Sequence, residues 1–411
     1  MKLRIEKAIY GGDGLARVPG GKTVFVPETL PGELVEATIA TDRRSFATSK
    51  LEAILEPSAE RVAPGCEYVP RCGGCQYQHT SPAFQLQMKL DILKETLGRA
   101  HVPVPNEIGS VAGEPWGYRN RIRLHVLRNG VAYRERGSHK LLPVTHCPIA
   151  APLLEQAMAA VTRVGGLADL CEEVEFFTNG DALLTSLWPG ARQRPGEQAL
   201  EAFAERLRQE LPALSGVGLF SQPGIKFWGQ RSLTYTVCGI PYQVSLGSFF
   251  QVNRFLVEEL LQLVVKERSG RVAWDLYAGA GLFARALPFE HVTAVESEGF
   301  SSDDLKNNLE GSGHRVVRST TLDFLRSQAS VKNRPELIVV DPPRAGLGKE
   351  ICGQLSRVEA ANIIYVSCDP ATLARDLQTL LSSGYFIQTM HLVDMFPQTF
   401  HLETVTVLAR D

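Results

Sequence analysis

The sequence predicts an α/β chain preceded by a small all-β unit: a short-stranded barrel, then a central α+β region, then a doubly wound parallel sheet. Three observations carry this prediction. At 411 residues, 44% of them hydrophobic, the chain exceeds one ordinary domain and has enough apolar side chain for separate cores. Short β-like runs broken by glycine fill residues 1–57. From 236 to 411, runs that are apolar on both faces alternate with helix-length segments, the pattern of parallel strands covered by helices. The 43 Lys and Arg residues against 45 Asp and Glu leave a net charge of −2, so no global basic excess points to nucleic acid. No apolar run approaches the roughly 18 residues a membrane helix needs. Met1-Lys2-Leu3-Arg4 opens no signal peptide, so a cytoplasmic chain with no membrane partner is expected. Its eight cysteines are then not expected to form structural disulfides.

In the barrel, the runs are Leu3-Arg4-Ile5, Thr23-Val24-Phe25-Val26 and 34–39, punctuated by Gly11-Gly12-Asp13-Gly14. The segment from Val24 to Glu33 resembles the TRAM module, an oligonucleotide-fold barrel attached to RNA-modifying enzymes, whereas a plain all-β extension is the simpler reading. Residues 57–64 read as a linker. In the middle region, 58–235, a helix is expected from Ser81, an N-cap followed by Pro82 at the first helical position, with Phe84, Met88, Ile92 and Leu97 near helical spacing. Residues 192–210 read as a solvated surface helix.

The C-terminal strands are expected at 272–277, 292–296, 337–341 and 363–368, with 404–408 closing the sheet. The first runs into Ala278-Gly279-Ala280-Gly281, a glycine turn expected to open a helix in the Rossmann-like manner. Glu296, ending the next strand, is placed to accept hydrogen bonds from a ribose diol. The turn also satisfies the dinucleotide pattern G-x-G-x-x-A. Asp275 beside it favours a ligand carrying an ammonium and a sulfonium, S-adenosylmethionine, over a pyrophosphate. Asp275, Glu296, Asp341 and Cys368 all fall at strand ends on one predicted rim, where open α/β sheets bind ligands. Cys368 precedes Asp369-Pro370, a helix start whose dipole favours thiolate, with Asp369 opposing in part.

Five motifs in order, Ser248-Phe249-Phe250-Gln251-Val252-Asn253, the 275–281 turn, Asp341-Pro342-Pro343-Arg344, Ser367-Cys368-Asp369-Pro370 and His401-Leu402-Glu403-Thr404-Val405, resemble the RNA uracil-5-methyltransferase family over nearly the whole chain. The resemblance implies transfer of a methyl group from S-adenosylmethionine to C5 of a uridine. Uracil C5 is a poor nucleophile, so a thiolate must first add at C6. Position and resemblance together assign that role to Cys368, and the resemblance makes Glu403 the base that removes the C5 proton. It also implies cofactor or uracil contacts at Gln251, Tyr277, Glu296 and Asp341, cofactor proximity at Gly279, Gly281 and Asp323, and a family polar residue where Leu282 stands. A uracil in folded RNA would have to be extruded, with Phe249 or Phe250 stacking on it or packing in the core.

Cys66, then Cys72-Gly73-Gly74-Cys75, and the distant Cys147 supply four thiols without a second C-x-x-C pair, which suits an iron–sulfur cluster better than a zinc ribbon or a redox pair. Cluster-bearing family members share this pattern, which implies a [4Fe-4S] cluster held by Cys66, Cys72, Cys75 and Cys147 and a central iron–sulfur domain. Cys171, Cys238 and Cys352 read as buried packing residues. Between the third and fourth thiols, residues 117–140 hold seven basic residues against the single acid Glu135, with Arg119, Arg121 and Arg123 on one strand face. This ribbon suits phosphate contacts; a solvated strand face is the alternative. The expected partner is RNA, ribosomal large-subunit (23S) RNA first and a transfer RNA T-loop second, with a non-catalytic RNA-binding or chaperone module as a different class. A monomer is expected.

Overall fold

The computed structural model describes residues 1–191, 193–221, 224–328 and 334–410. Six strands form the N-terminal sheet, in which Phe46–Glu56 pairs antiparallel with Leu34–Asp42 and parallel with Thr23–Pro27. Three register shifts along the first pairing bend the sheet. It closes round a core of Leu3, Ile5, Ala16, Val24, Val26, Val35, Ala37 and Ala47.

The central sheet has seven strands between Arg121 and Gly229, covered by the helices Pro152–Val164 and Glu197–Glu210. The second helix, expected as a solvated one, buries one stripe, Leu200, Phe203, Ala204 and Leu207, under a charged outer face.

Eight strands form the C-terminal sheet, in the order Arg315–Arg318, Phe289–Glu296, Gly270–Leu276, Leu337–Val340, Asn362–Ser367, Glu403–Arg410, Tyr385–Val393, Gly109–Val111. Apolar cores lie on both faces, as a doubly wound sheet requires. The sheet is mixed, however, and not parallel throughout. The last strand does not close an edge: Glu403–Arg410 inserts antiparallel between Asn362–Ser367 and Tyr385–Val393. Because it runs backwards, its first residue, Glu403, reaches the rim where the parallel strands end.

Two segments of the middle region pack with this sheet. Ser81 caps the helix Pro82–Arg99 by accepting the Phe84 N–H, as expected, and Met88, Ile92, Leu93 and Leu97 join the core on one face of the sheet, beside the helix Pro370–Ser382. Gly109–Val111 then adds a parallel edge strand to Tyr385–Val393. The hairpin Ser232–Val237 and Ile240–Ser245 spans residue 235 and lends Leu233, Tyr235, Tyr242 and Val244 to the core beneath the sheet. Cys171 and Cys352 are buried as expected, but Cys238 is exposed. It occupies the first position of this hairpin's two-residue turn, where Cys238 and Gly239 both have positive φ. No helix among the described residues is long and apolar enough to cross a membrane.

Candidate functional site

The rim of the C-terminal sheet gathers the chemistry. Asp275 lies at the end of Gly270–Leu276, fully buried, and its Oδ2 accepts the Ala284 N–H at 2.8 Å while Oδ1 has no partner. Burial pushes this carboxyl up to about 8, the Ala284 N–H opposing and Asp341 and Glu296 adding to the rise. The chain then turns through Tyr277 (φ 65°), Gly279 (φ 56°) and Gly281 (φ 90°). A side chain of Tyr277's size in the left-handed region marks local strain held by its surroundings. The expected helix after the glycines is absent. Residues 279–286 form consecutive turns, because Asp275 draws Ala284 inward and Pro288 stops the chain soon afterwards. Leu282 packs in the core beneath.

Glu296 is fixed by three backbone donors: Gly279 N–H to Oε2 at 2.9 Å, and Ser297 and Glu298 N–H to Oε1 at 2.7 Å each. The remaining lone pairs of this oriented carboxylate suit a diol. A Cβ placed on Gly279 would meet nothing within 4 Å, so the backbone stands open beside it. Asp323 is exposed and serves its own helix, its Oδ2 accepting from Thr320 Oγ1 at 2.7 Å. Gln251 is buried and directs Nε2 to Asp341 Oδ2 at 3.4 Å. Of the two phenylalanines beside it, Phe250 is in the core against Tyr235 and Tyr242, whereas Phe249 is 58% exposed.

Cys368 and Glu403 come together through strand register. Ser367 pairs with Thr404, so the next position outward sets Cys368 against Glu403. Glu403 is 5% exposed; burial first, then the charge of Asp341, raises its carboxyl well above the ordinary range. Asp341 is raised to about 7 by burial. Burial, then Glu403 and Asp341, push the Cys368 thiol up to about 12, against the lowering effect of Arg344. The expected thiolate-favouring helix end does not prevail. Asp369 Oδ1 caps that helix by accepting the Ala371 and Thr372 N–H groups, and three carboxylates surround the sulfur. Arg344 Nη2 lies 3.1 Å from His401 Nε2; burial and Arg344 push the His401 imidazole down to about 3.

The loop leading into Glu403 is held from every side. Lys89 Nζ bonds Asp394 at 2.6 Å and the Phe396 carbonyl at 2.9 Å; Tyr118 OH donates to the Pro397 carbonyl; Asn253 Nδ2 donates to the Met395 carbonyl. The Gln398 carbonyl accepts the Gln76 and Tyr77 N–H groups, and Gln85 exchanges two hydrogen bonds with Gln398. Lys89, Gln85, Asp394 and Gln398 escaped the sequence reading, since nothing local to a lone lysine or glutamine announces a partner about three hundred positions away.

Cys66, Cys72, Cys75 and Cys147 line one cavity of about 240 Å³, together with Arg119, Tyr133 and His146. Among the described residues no group of three or more His, Cys, Asp or Glu is placed to hold a metal ion, these four thiols included. Four thiols around a cavity of that size match, as a donor set, a larger thiophilic group. The arginine ribbon is neutralised in part: Arg121, Arg123 and Arg136, three of its seven basic residues, are paired with acids. Arg121 pairs with Glu175 and the Ser248 carbonyl, and Arg123 with Glu173 while lying 4.0 Å over Trp188. Arg136 pairs with Glu28, and Arg71 takes Glu135. The acids come from neighbouring strands and the barrel, which a count along 117–140 omits.

A family profile described as tRNA (Uracil-5-)-methyltransferase matches residues 85–411, and a TRAM domain profile matches residues 1–51. The chain belongs to the tRNA (uracil-5-)-methyltransferase family. It is an S-adenosylmethionine-dependent RNA uracil-5-methyltransferase with an N-terminal TRAM domain. Among its relatives, the 23S rRNA (uracil(1939)-C(5))-methyltransferase RlmD of Chromohalobacter salexigens is 32% identical, over 100% of this chain and 89% of that protein. The RlmD of Mannheimia succiniciproducens is 31% identical, over 100% and 96%. An uncharacterized RNA methyltransferase of Thermotoga maritima is 28% identical, over 100% and 99%. The fold is that of Pyrococcus abyssi tRNA (uracil-54, C5)-methyltransferase, with a TM-score of 0.77 at 23% identity and full coverage of both chains.

Proposed function

We propose that this methyltransferase acts on C5 of a uridine in 23S ribosomal RNA, with Cys368 as nucleophile and Glu403 as base. The observation that carries the chemistry is the register that sets Cys368 against Glu403 beside Asp341. The rRNA substrate follows the full-length likeness to proteins named for that activity.

The Cys368 sulfur forms a bond to uracil C6 as its proton passes to the Asp341–Glu403 carboxyl pair, and C5 becomes an enolate carbon. Glu296, Gly279, Gln251 and Asp341 would hold S-adenosylmethionine, which supplies an electrophilic methyl and a positive charge among crowded carboxylates. Glu403 then takes the C5 proton, the S–C6 bond breaks and sulfur regains a proton. One proton is released overall. Phe249, exposed beside Gln251, would stack on the extruded base.

Cys66, Cys72, Cys75 and Cys147 would hold a [4Fe-4S] cluster. Methyl transfer involves no electron transfer, so its contribution is to order the segment that grips Gln398.

Incubation with 5-fluorouridine RNA and S-adenosylmethionine tests the chemistry, because fluorine at C5 cannot leave as a proton. A covalent complex surviving denaturing electrophoresis is expected, absent in Cys368→Ala. Glu403→Gln on ordinary RNA should accumulate the methylated adduct by mass spectrometry. An adduct in Cys368→Ala refutes the nucleophile, and none in Glu403→Gln refutes the base. Mapping 5-methyluridine in total RNA with and without the protein decides between ribosomal and transfer RNA.

A further inference from the structure

The barrel reaches the catalytic rim. Between its strands Lys7–Ala8 and Asp13–Arg17 the chain forms a tight tip, with the Ile9 N–H bonded to Asp13 O at 2.9 Å and the Gly12 N–H to Ile9 O at 3.2 Å. Gly11 (φ 111°) and Gly12 (φ 98°) adopt backbone conformations that L side chains rarely take, and a Cβ on Gly12 would stand 2.8 Å from Gln76. The tip is therefore wedged against the thiol-bearing segment. At it, the Tyr10 ring meets Phe400 edge-on, centroids 5.3 Å apart and planes at 86°. The Tyr10 hydroxyl lies 3.4 Å from the Cys368 carbonyl and donates to it. The hydroxyl thus reaches the backbone of the residue that carries the sulfur.

We infer that Tyr10 is a positioning residue for Cys368: the barrel completes the active site by fixing the Cys368–Asp369 turn with its hydroxyl, beyond any part it plays in gripping RNA. The arrangement is specific. Asp369 Oδ1 is committed to the cap of the following helix, and the hydroxyl's partner in this turn is the Cys368 carbonyl. Its ring braces Phe400, three residues before Glu403, so one side chain touches both the turn that carries Cys368 and the loop that leads into Glu403. The inference rests on Cys368 being the nucleophile.

Tyr10→Phe keeps the ring and removes the donor. Two measurements on the full chain separate its effects. Single-turnover adduct formation on saturating 5-fluorouridine RNA should slow by about three- to tenfold, the range of one ordinary hydrogen bond, with RNA affinity and thermal midpoint unchanged. Alkylation of Cys368 by iodoacetamide at fixed pH, followed by peptide mass spectrometry, should become faster by a similar factor. Without the phenol the Cys368 carbonyl loses its partner on the barrel, so the turn loosens and the partly buried sulfur is reached more often from solvent. A wild-type rate with a wild-type alkylation profile overturns the inference. So does a slower rate that tracks weaker RNA binding while alkylation is unchanged, since Tyr10 then acts on RNA. Alkylation reports on Cys368 whether or not it is the nucleophile, so an adduct persisting in Cys368→Ala would sink the catalytic assignment separately.

Discussion

Burial holds the Asp275 carboxyl protonated up to about pH 8, against an ordinary value below 4. In the unfolded chain the same group ionises near its ordinary value, so between the two the folded state binds the extra proton. Stability from this group is therefore greatest at low pH and declines as pH rises toward 8; Asp341, raised to about 7, acts in the same sense. Thermal midpoints of the ligand-free protein should fall between about pH 5 and about pH 8, and Asp275→Asn should flatten that fall while keeping an acceptor for the Ala284 N–H. An unchanged slope in the variant would remove Asp275 from this account. The residue types at this rim were legible in sequence as strand-end carboxylates. Asp275's structural duty was not, because its partner Ala284 is fixed only once the glycine turn folds back.

At the scale of elements, the loop 394–401 is the piece on which the site depends, and Lys89 is its anchor. The lysine is 0% exposed and its ammonium has Asp394 and the Phe396 carbonyl as partners; burial alone would drive its pKa down. Removing one member of such a pair leaves the other charge buried and unpaired. Lys89→Met should destabilise the protein by about 3–5 kcal/mol in urea titrations, whereas an effect under about 1 kcal/mol would mean that water or a rearranged loop replaces the ammonium. The helix carrying Lys89 was legible from its cap and apolar spacing. The helix Pro370–Ser382 it packs beside was not, since an apolar stripe specifies that a face is buried and leaves open what buries it.

Across the whole molecule, one segment ties three units together. Cys75 is followed by the two N–H donors to Gln398; Arg136 from the central sheet bonds the Cys75 carbonyl and Glu28 of the barrel; Gly12 of the barrel tip abuts Gln76. If a cluster orders this segment, Cys75→Ser should raise amide hydrogen exchange in 394–401 and 9–12 as well as in 66–79, with the cores of both larger sheets protected. Exchange confined to 66–79 would show that the thiol segment is not coupled to the catalytic rim.

The sequence by itself determined what the chain could be made of: a short-stranded barrel, buried α/β strands, four grouped thiols, and carboxylates and a cysteine at strand ends. Those properties are local, written in periodicity, caps and residue chemistry. Only the tertiary structure decided that the last strand runs backwards inside the sheet and so delivers Glu403 to Cys368. It also decided that Arg121 and Arg123 of the ribbon are answered by Glu175 and Glu173 across a strand pair, and that Tyr10 stands at the turn carrying Cys368. Each of these is a pairing between residues far apart in the chain, set by sheet register and the packing of whole units, for which no single stretch of sequence carries the information.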